Sequence, residues 1–250
     1  MLKASANGPS LLFDGNEQIE PVTLMSEATK TKKNSWRQDP DGVKADILAT
    51  ATEIFATHGL SGARVDEIAR RTQTSKRMIY YYFGDKDGLY MSVLEAAYAA
   101  VRSGEDALNL DELDPISALC RLVEFTFDYH RDNRHYVRLV QIENIHDATH
   151  LQRSERIPKL NLSVIEKLKR ICRKGIDEGV FRSDISAVEL HWLITSSCFF
   201  NVSNRATFER LYGSDSFTSD GQYALKKLIS DAVLGAVLIR QSDGTEPTLA

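Results

Sequence analysis

The sequence predicts an all-α protein in which a three-helix helix-turn-helix unit precedes a larger helical domain. Apolar residues recur at steps of three and four in one segment after another, the mark of helices that each bury one stripe. No segment sustains the two-residue alternation of a half-buried strand. Two short helical segments joined by a polar break follow a longer one, which is the helix-turn-helix layout.

Residues 1–38 are rich in Ser, Thr, Asn and Gly with no sustained period, and are expected to be a disordered extension with a basic end. In the next unit, residues 39–85, Val43, Ile47, Leu48, Ala51, Ile54 and Phe55 form the stripe of the first helix. Asp39 or Asp41 caps it, Pro40 is tolerated in its first turn, and Gly59 closes it. A second helix of about two turns runs from Val65 to Arg71. The polar break Thr72, Gln73, Thr74 and Ser75 follows, and Thr74 or Ser75 caps a third helix over residues 76–83. Gly84 and Asp85 end it, and Asp85 caps a longer connecting helix over residues 86–102.

The larger domain, residues 86–240, continues with helices over residues 115–132 and 135–147. A further helix carries Leu160, Val164, Leu168, Ile171 and Cys172 on one face and ends between Gly175 and Gly179. Asp184 or Ser186 opens the next, which runs past Trp192, Phe199 and Phe200 towards Arg205. Leu225, Leu228, Ile229, Ala232 and Ala236 mark a last helix over residues 219–239, and residues 241–250 read as a flexible tail.

With 250 residues, 42% of them hydrophobic and 26% charged, the chain has the composition of a soluble globular protein able to bury a sizeable core. The densest apolar stretch, residues 192–202, is interrupted by Thr195, Ser196, Ser197 and Asn201, so no membrane span is expected. Leu11, Leu12 and Phe13 are too short a run for the apolar region of a secretory leader. Cys120, Cys172 and Cys198 stand far apart, which speaks against a disulfide framework and fits a reducing cytoplasm. Net charge is −4, yet residues 30–88 hold eleven Lys and Arg against eight Asp and Glu. A basic segment ahead of an acidic remainder suits a polyanion-binding module beside a body that binds something else.

The third helix carries the chemical argument. A recognition helix needs donors near its N-terminus, where base edges are reached, and apolar residues behind to fix its angle. Lys76 and Arg77 supply donors, and Ile79 and Phe83 supply the anchor at i, i+4 spacing. Tyr80, Tyr81 and Tyr82 each place a hydroxyl on a rigid ring, suited to phosphate oxygens, although Tyr80 or Tyr82 taken singly could equally be core. Lys86, at the start of the next helix, is placed to meet the same backbone.

On these residues, with Ile47, Leu48, Ala51, Phe55, Gly59, Ile68, Ala69, Ser75 and Leu89 around them, residues 43–90 resemble the DNA-binding domain of TetR-family transcriptional regulators. The resemblance implies base contacts from Lys76, Arg77 and Met78, and phosphate contacts from Tyr80, Tyr81 and Lys86; Tyr82 joins the same candidate surface. Two departures are visible. Arg64 stands where the family has a capping threonine and offers a phosphate contact instead, and Thr72, Gln73 and Thr74 replace a glycine-containing turn, which pushes Gln73 into a less comfortable conformation. The layout of residues 199–205 is faintly similar to the pyrimidine-utilisation regulators of that family.

The resemblance also implies a C-terminal ligand-binding and dimerisation domain, a double-stranded palindromic DNA operator, a homodimer, and a small-molecule effector that releases a repressor from DNA. Residues 191–204 are apolar or small on nearly every side, as expected of a helix between its own core and a partner. Phe125, Tyr129, His130, Glu143 and Trp192 are the expected ligand-binding residues. Glu143, His146, Asp147 and His150 share helical spacing, but they read as a polar helix end, and no metal is expected. No cofactor is expected either, since GxGxxG, Walker, HExxH and GxSxG motifs are missing, and no catalytic residue is assigned. Residues 30–37 read either as an arm for the minor groove or as a solvated tail. A protein-interaction module, or less favourably a helical enzyme, is the rival reading.

Overall fold

The structure is a computed structural model that describes residues 39–239, so the expected N-terminal extension, its basic arm and the C-terminal tail lie outside the described residues. The described residues form ten α-helices and no β-strand; one isolated antiparallel bridge joins Phe181 and Leu238. None of these helices is long and apolar enough to cross a membrane.

The first three helices are α1 (Pro40–Gly62), α2 (Val65–Arg71) and α3 (Lys76–Phe83). Gly59 breaks the helical path of α1 at φ 67°, where the sequence expects it to close, and a short helical turn continues to Gly62. The α2–α3 turn puts Gln73 at φ 51°, the left-handed conformation that its missing glycine foretells. Thr72 and Thr74 amides bond back to Ile68 and Ala69 carbonyls and close that turn. Ser75, rather than Thr74, caps α3 by accepting from the Met78 amide at 3.2 Å.

Asp85 caps α4 (Lys86–Asp106) through the Gly88 amide at 2.7 Å, and the helix runs one turn further than expected. Asp114 then caps α5 (Pro115–Asp132), and Asn133 alone separates it from α6 (Arg134–Ile145). The sequence extends α6 to Asp147; instead Asp147 and Ala148 turn into the left-handed region at φ 53° and 56° and send the chain back. Next come α7 (Arg156–Asp177) and α8 (Ala187–Ser203), the latter opened by a capping box between Ser186 and Glu189. The expected run of α8 to Arg205 stops at Asn204, and an unanticipated short helix, α9 (Arg205–Tyr212), follows before α10 (Ser219–Val237).

Two apolar clusters hold these helices. One joins α5, α7, α8 and α10 around Leu119, Phe127, Leu168, Ile194 and Val233. The other is built on α1, α2 and α3 but does not end with them: it takes Leu89, Tyr90, Val93 and Leu94 from α4, Leu139 from α6 and Ile157 from α7. Helix α4 thus serves both ends of the molecule, its first half in this cluster and its second half facing the larger domain.

Candidate nucleic-acid interface and interior pocket

Helix α3 is held from behind and presents its front to solvent. Ile79 is fully buried and Phe83 is 8% exposed, so the i, i+4 anchor expected of a recognition helix is present. Arg77 and Tyr81 point outward, Tyr81 at 78% exposure, and Tyr80 is 41% exposed. Tyr82 and Met78 are half-buried, and Tyr82 meets the Tyr81 and Phe83 rings edge-on. Lys86 is half-buried too, with Nζ 3.4 Å from the Ser61 carbonyl at the end of α1. Arg64 stands at the start of α2 in an extended conformation and makes no side-chain cap, so its guanidinium is exposed beside α3.

Lys76 has a partner the sequence does not announce. Its ammonium lies 2.7 Å from Asp66 Oδ1 on α2, and that bond, opposed only in part by desolvation, raises its pKa. One of the two donors expected at the start of α3 is therefore held by an acidic side chain, whereas no ion pair engages Arg77 among the described residues. Arg71 pairs with Glu53 and ties α2 to α1.

The five expected pocket residues fall in five different places. His130 alone lines a cavity of about 230 Å³, partly open to solvent, between α4, α5, α6, α7 and α8. Tyr129 lines a larger and shallower groove of about 550 Å³ between α1, α4 and the α5–α6 corner, with exposed His135 beside it. Phe125 covers Gly104 of α4 and packs on Tyr129, 5.6 Å between ring centroids, and faces neither space. Trp192 is 71% exposed on the outer face of α8, because the turn that buries Leu190 and Ile194 points it away from the core.

Glu143 is buried and committed to structure. It accepts from Tyr90 Oη at 2.8 Å and from the main-chain amides of His150 and Leu151 at 3.2 and 2.9 Å. His150 Nδ1 stands 3.1 Å from the same carboxylate, which leaves it no face for an effector. The left-handed pair Asp147 and Ala148 is what returns His150 to this position.

Sequence reasoning missed the polar residues that do line the cavity. Tyr98 and Arg102 project from α4, Tyr136 from α6 and His191 from α8. Arg102 is 6% exposed, and its Nη1 lies 2.9 Å from Glu105 Oε2, itself 3% exposed. Burial pushes the Glu105 carboxyl up to about 7, against the pull of Arg102 and Lys167. Burial likewise pushes the His130 and His191 imidazoles down to about 4, so both are neutral near pH 7. A signal was available: positions 90, 94, 98, 101, 102 and 105 follow one helical stripe, and a charged residue on a buried stripe marks a site.

The cysteines take no part in this chemistry. Cys172 and Cys198 are buried and Cys120 is half-buried, all unpaired, and burial pushes each thiol up, Cys198 to about 12.

Comparison with known proteins places this geometry. Residues 47–93 match the model for bacterial regulatory proteins of the tetR family, and residues 115–233 match a tetracyclin repressor-like C-terminal domain. The chain is 34% identical over 206 residues to the HTH-type transcriptional repressor NicS of Pseudomonas putida, covering 82% of this chain and 97% of that one. It is 29% identical over 189 residues to the repressor SCO4008 of Streptomyces coelicolor, covering 74% and 91%. Among solved structures, the transcriptional regulator SCO4942 of Streptomyces coelicolor superposes with a TM-score of 0.60 at 25% identity, over 78% of this chain and 98% of that one. Matched in both halves, and along nearly the whole length of a relative at 34% identity, the chain belongs to the tetR family of bacterial regulatory proteins.

Proposed function

We propose that this regulator is a repressor that binds a palindromic operator as a homodimer and leaves it when a small molecule enters the α4–α8 cavity. The observation that carries the reading is the double duty of α4. Its first turns pack under α3 through Leu89 and Tyr90, while Arg102, about 18 Å further along the helix axis, walls the cavity. A ligand that favours one tilt of α4 would thereby change where α3 sits, provided it binds the two arrangements with different affinity.

Arg77, Lys76 and Met78 are the proposed base-reading residues, with Arg64, Tyr80, Tyr81 and Lys86 on phosphates and Tyr82 mainly supporting its neighbours. The outer faces of α8 and α10 support a two-fold interface. Val188, Trp192 and Phe200 on α8, and Tyr223 and Leu228 on α10, are between 50% and 70% exposed or slightly more on two adjacent helices. So much apolar surface on one side of a soluble protein marks an interaction face. In this reading Trp192 belongs to the dimer and not to the pocket. That the relatives in Pseudomonas putida and Streptomyces coelicolor are named repressors supports repression as the direction of control.

Selection of binding sites from random duplex DNA with the purified chain tests the reading, together with its mass in solution. A palindromic site bound by a dimer, more weakly as salt rises, is the expected result. A folded protein that enriches no site would refute it.

A further inference from the structure

Three buried polar side chains that line the α4–α8 cavity, Arg102, Glu105 and His130, have unmet hydrogen-bonding capacity. Arg102 is 6% exposed, and its Nε and Nη1 have no hydrogen-bond acceptor among the described residues. The Glu105 carboxylate beside Nη1 is a charge contact without hydrogen-bond geometry, and its own Oε2 has no donor. His130 is 3% exposed, and its Nδ1 has no hydrogen-bond partner among the described residues. A neutral imidazole that donates through one nitrogen leaves the other as an acceptor. Buried polar groups are rarely left in this state, and all three belong to residues that line one cavity.

Arg102 is the one cation among the residues that line the cavity, and the Glu105 carboxyl beside it, pushed up to about 7 by burial, offsets that charge only in part. Arg102 and Lys167 are the cations near Glu105, and Lys167 is paired outward with Asp106 at 2.5 Å. His130 and His191 are neutral, and Tyr98 and Tyr136 hold their protons. The open Nε–H of a guanidinium suits a carboxylate, which accepts a charge-assisted hydrogen bond. Tyr98, Tyr136 and Phe199 supply flat apolar walls. At about 230 Å³ the space is below the roughly 300–1,000 Å³ of drug-sized pockets.

We propose that the effector is a small, ring-sized monocarboxylate bearing a hydroxyl, its carboxylate seated on Arg102 and its hydroxyl donating to His130 Nδ1. The inference rests on this cavity being the effector site. At this volume the cavity suits a single ring rather than a long acyl chain.

Calorimetric titration of the full chain with the three hydroxybenzoate isomers, each beside its hydroxybenzamide and beside plain benzoate, tests it. At least one isomer is expected to bind, with its amide roughly 10- to 100-fold weaker, the range set by hydrogen bonds to a charged group. Arg102→Gln should abolish that preference. Because this change strands Glu105, the double variant Arg102→Gln/Glu105→Gln, which removes both charges at nearly constant volume, serves as the second test. His130→Leu should erase the advantage of the hydroxybenzoate over benzoate. Equal binding of acid and amide, an undiminished preference in the double variant, or no binding of any isomer by folded protein would each overturn the proposal. Binding that leaves the selected DNA complex intact would sustain the ligand class and refute the effector role. Binding by a protein that selects no DNA would refute only the operator reading.

Discussion

The Tyr90 hydroxyl donates to Glu143 Oε1 across 2.8 Å, joining α4 to a helix 53 positions further along the chain. The Tyr90 ring also meets Phe55 of α1 edge-on, 5.0 Å between centroids, and His150 on its other side at 5.1 Å. One buried carboxylate and one phenol thus bind the helix-turn-helix, the connecting helix and the α6 turn into a single body.

Removing either partner should weaken that body unequally. Tyr90→Phe loses one hydrogen bond and leaves the carboxylate three other donors, so a cost of about 1–2 kcal/mol is expected. Glu143→Ala strands the buried phenol and two half-buried amides, for about 3–4 kcal/mol. Urea unfolding midpoints of the two variants give the comparison, and equal losses would contradict it.

If Lys76 meets DNA as proposed, Asp66 competes for it. Asp66→Asn removes the carboxylate 2.7 Å from the ammonium and one negative charge from the surface that carries α3. The variant should bind duplex DNA more tightly than the parent, with a log-affinity against log-salt slope steeper by about 1. Arg77→Ala should instead weaken one operator position by about 1–3 kcal/mol and affect random DNA less. Fluorescence anisotropy titrations at several salt concentrations report both.

Gly175 is required by its neighbour. A Cβ at this position would lie inside the van der Waals surface of the Phe181 ring, which is 3% exposed and pinned beside the Phe181–Leu238 bridge. Gly175→Ala should therefore destabilise by about 1–3 kcal/mol through overpacking, although the same change in an exposed helix stabilises. Thermal unfolding will show the sign, and pairing the change with Phe181→Leu should recover part of the loss.

The buried histidines and Glu105 pull acid stability in opposite directions. His130 and His191 have pKa values pushed down from 6.5 to about 4, so what their neutral burial contributes is present above pH 6.5 and lost as pH falls towards 4. Glu105 is pushed up from 4.5 to about 7, so its contribution is present below pH 4.5 and lost as pH rises through 7. Between about pH 4.5 and 6.5, unfolding takes up two protons at the histidines and releases one at Glu105. Stability should then rise by about 1.4 kcal/mol per pH unit in the parent and about twice as steeply in Glu105→Gln. Urea midpoints measured at pH 5 and 6 distinguish these slopes.

The sequence revealed the framework better than the pocket, for a physical reason. Helix starts are written locally: Ser75, Asp85, Asp114 and Ser186 cap the helices they precede through amides two or three residues away. The strained turn at Gln73 was likewise legible, because a missing glycine has only local remedies. Helix periodicity, by contrast, distinguishes a buried face from an exposed one but not a protein core from a partner's core. Leu228 lies on the apolar stripe of α10 and yet is 63% exposed, and Trp192 misled in the same way. The cavity needs side chains from five helices to converge, and the reason Glu143 does not reach it, the bond to Tyr90, spans 53 residues.

The shared packing of α4, α6 and α7 against the first three helices bears on how hybrid regulators can be engineered. A splice after residue 85 looks natural on the sequence, but it would cut through a single core, since Phe55 packs on Tyr90, and Leu139 and Ile157 close the same cluster. A donor fragment grafted at that seam would arrive with half of its packing surface and meet a recipient whose complementary half evolved for another shape. The transplantable unit extends along α4 to Leu94, with matched residues at positions 139 and 157 of the recipient. Hybrids joined there would keep the packing between the first three helices and the rest of the chain intact.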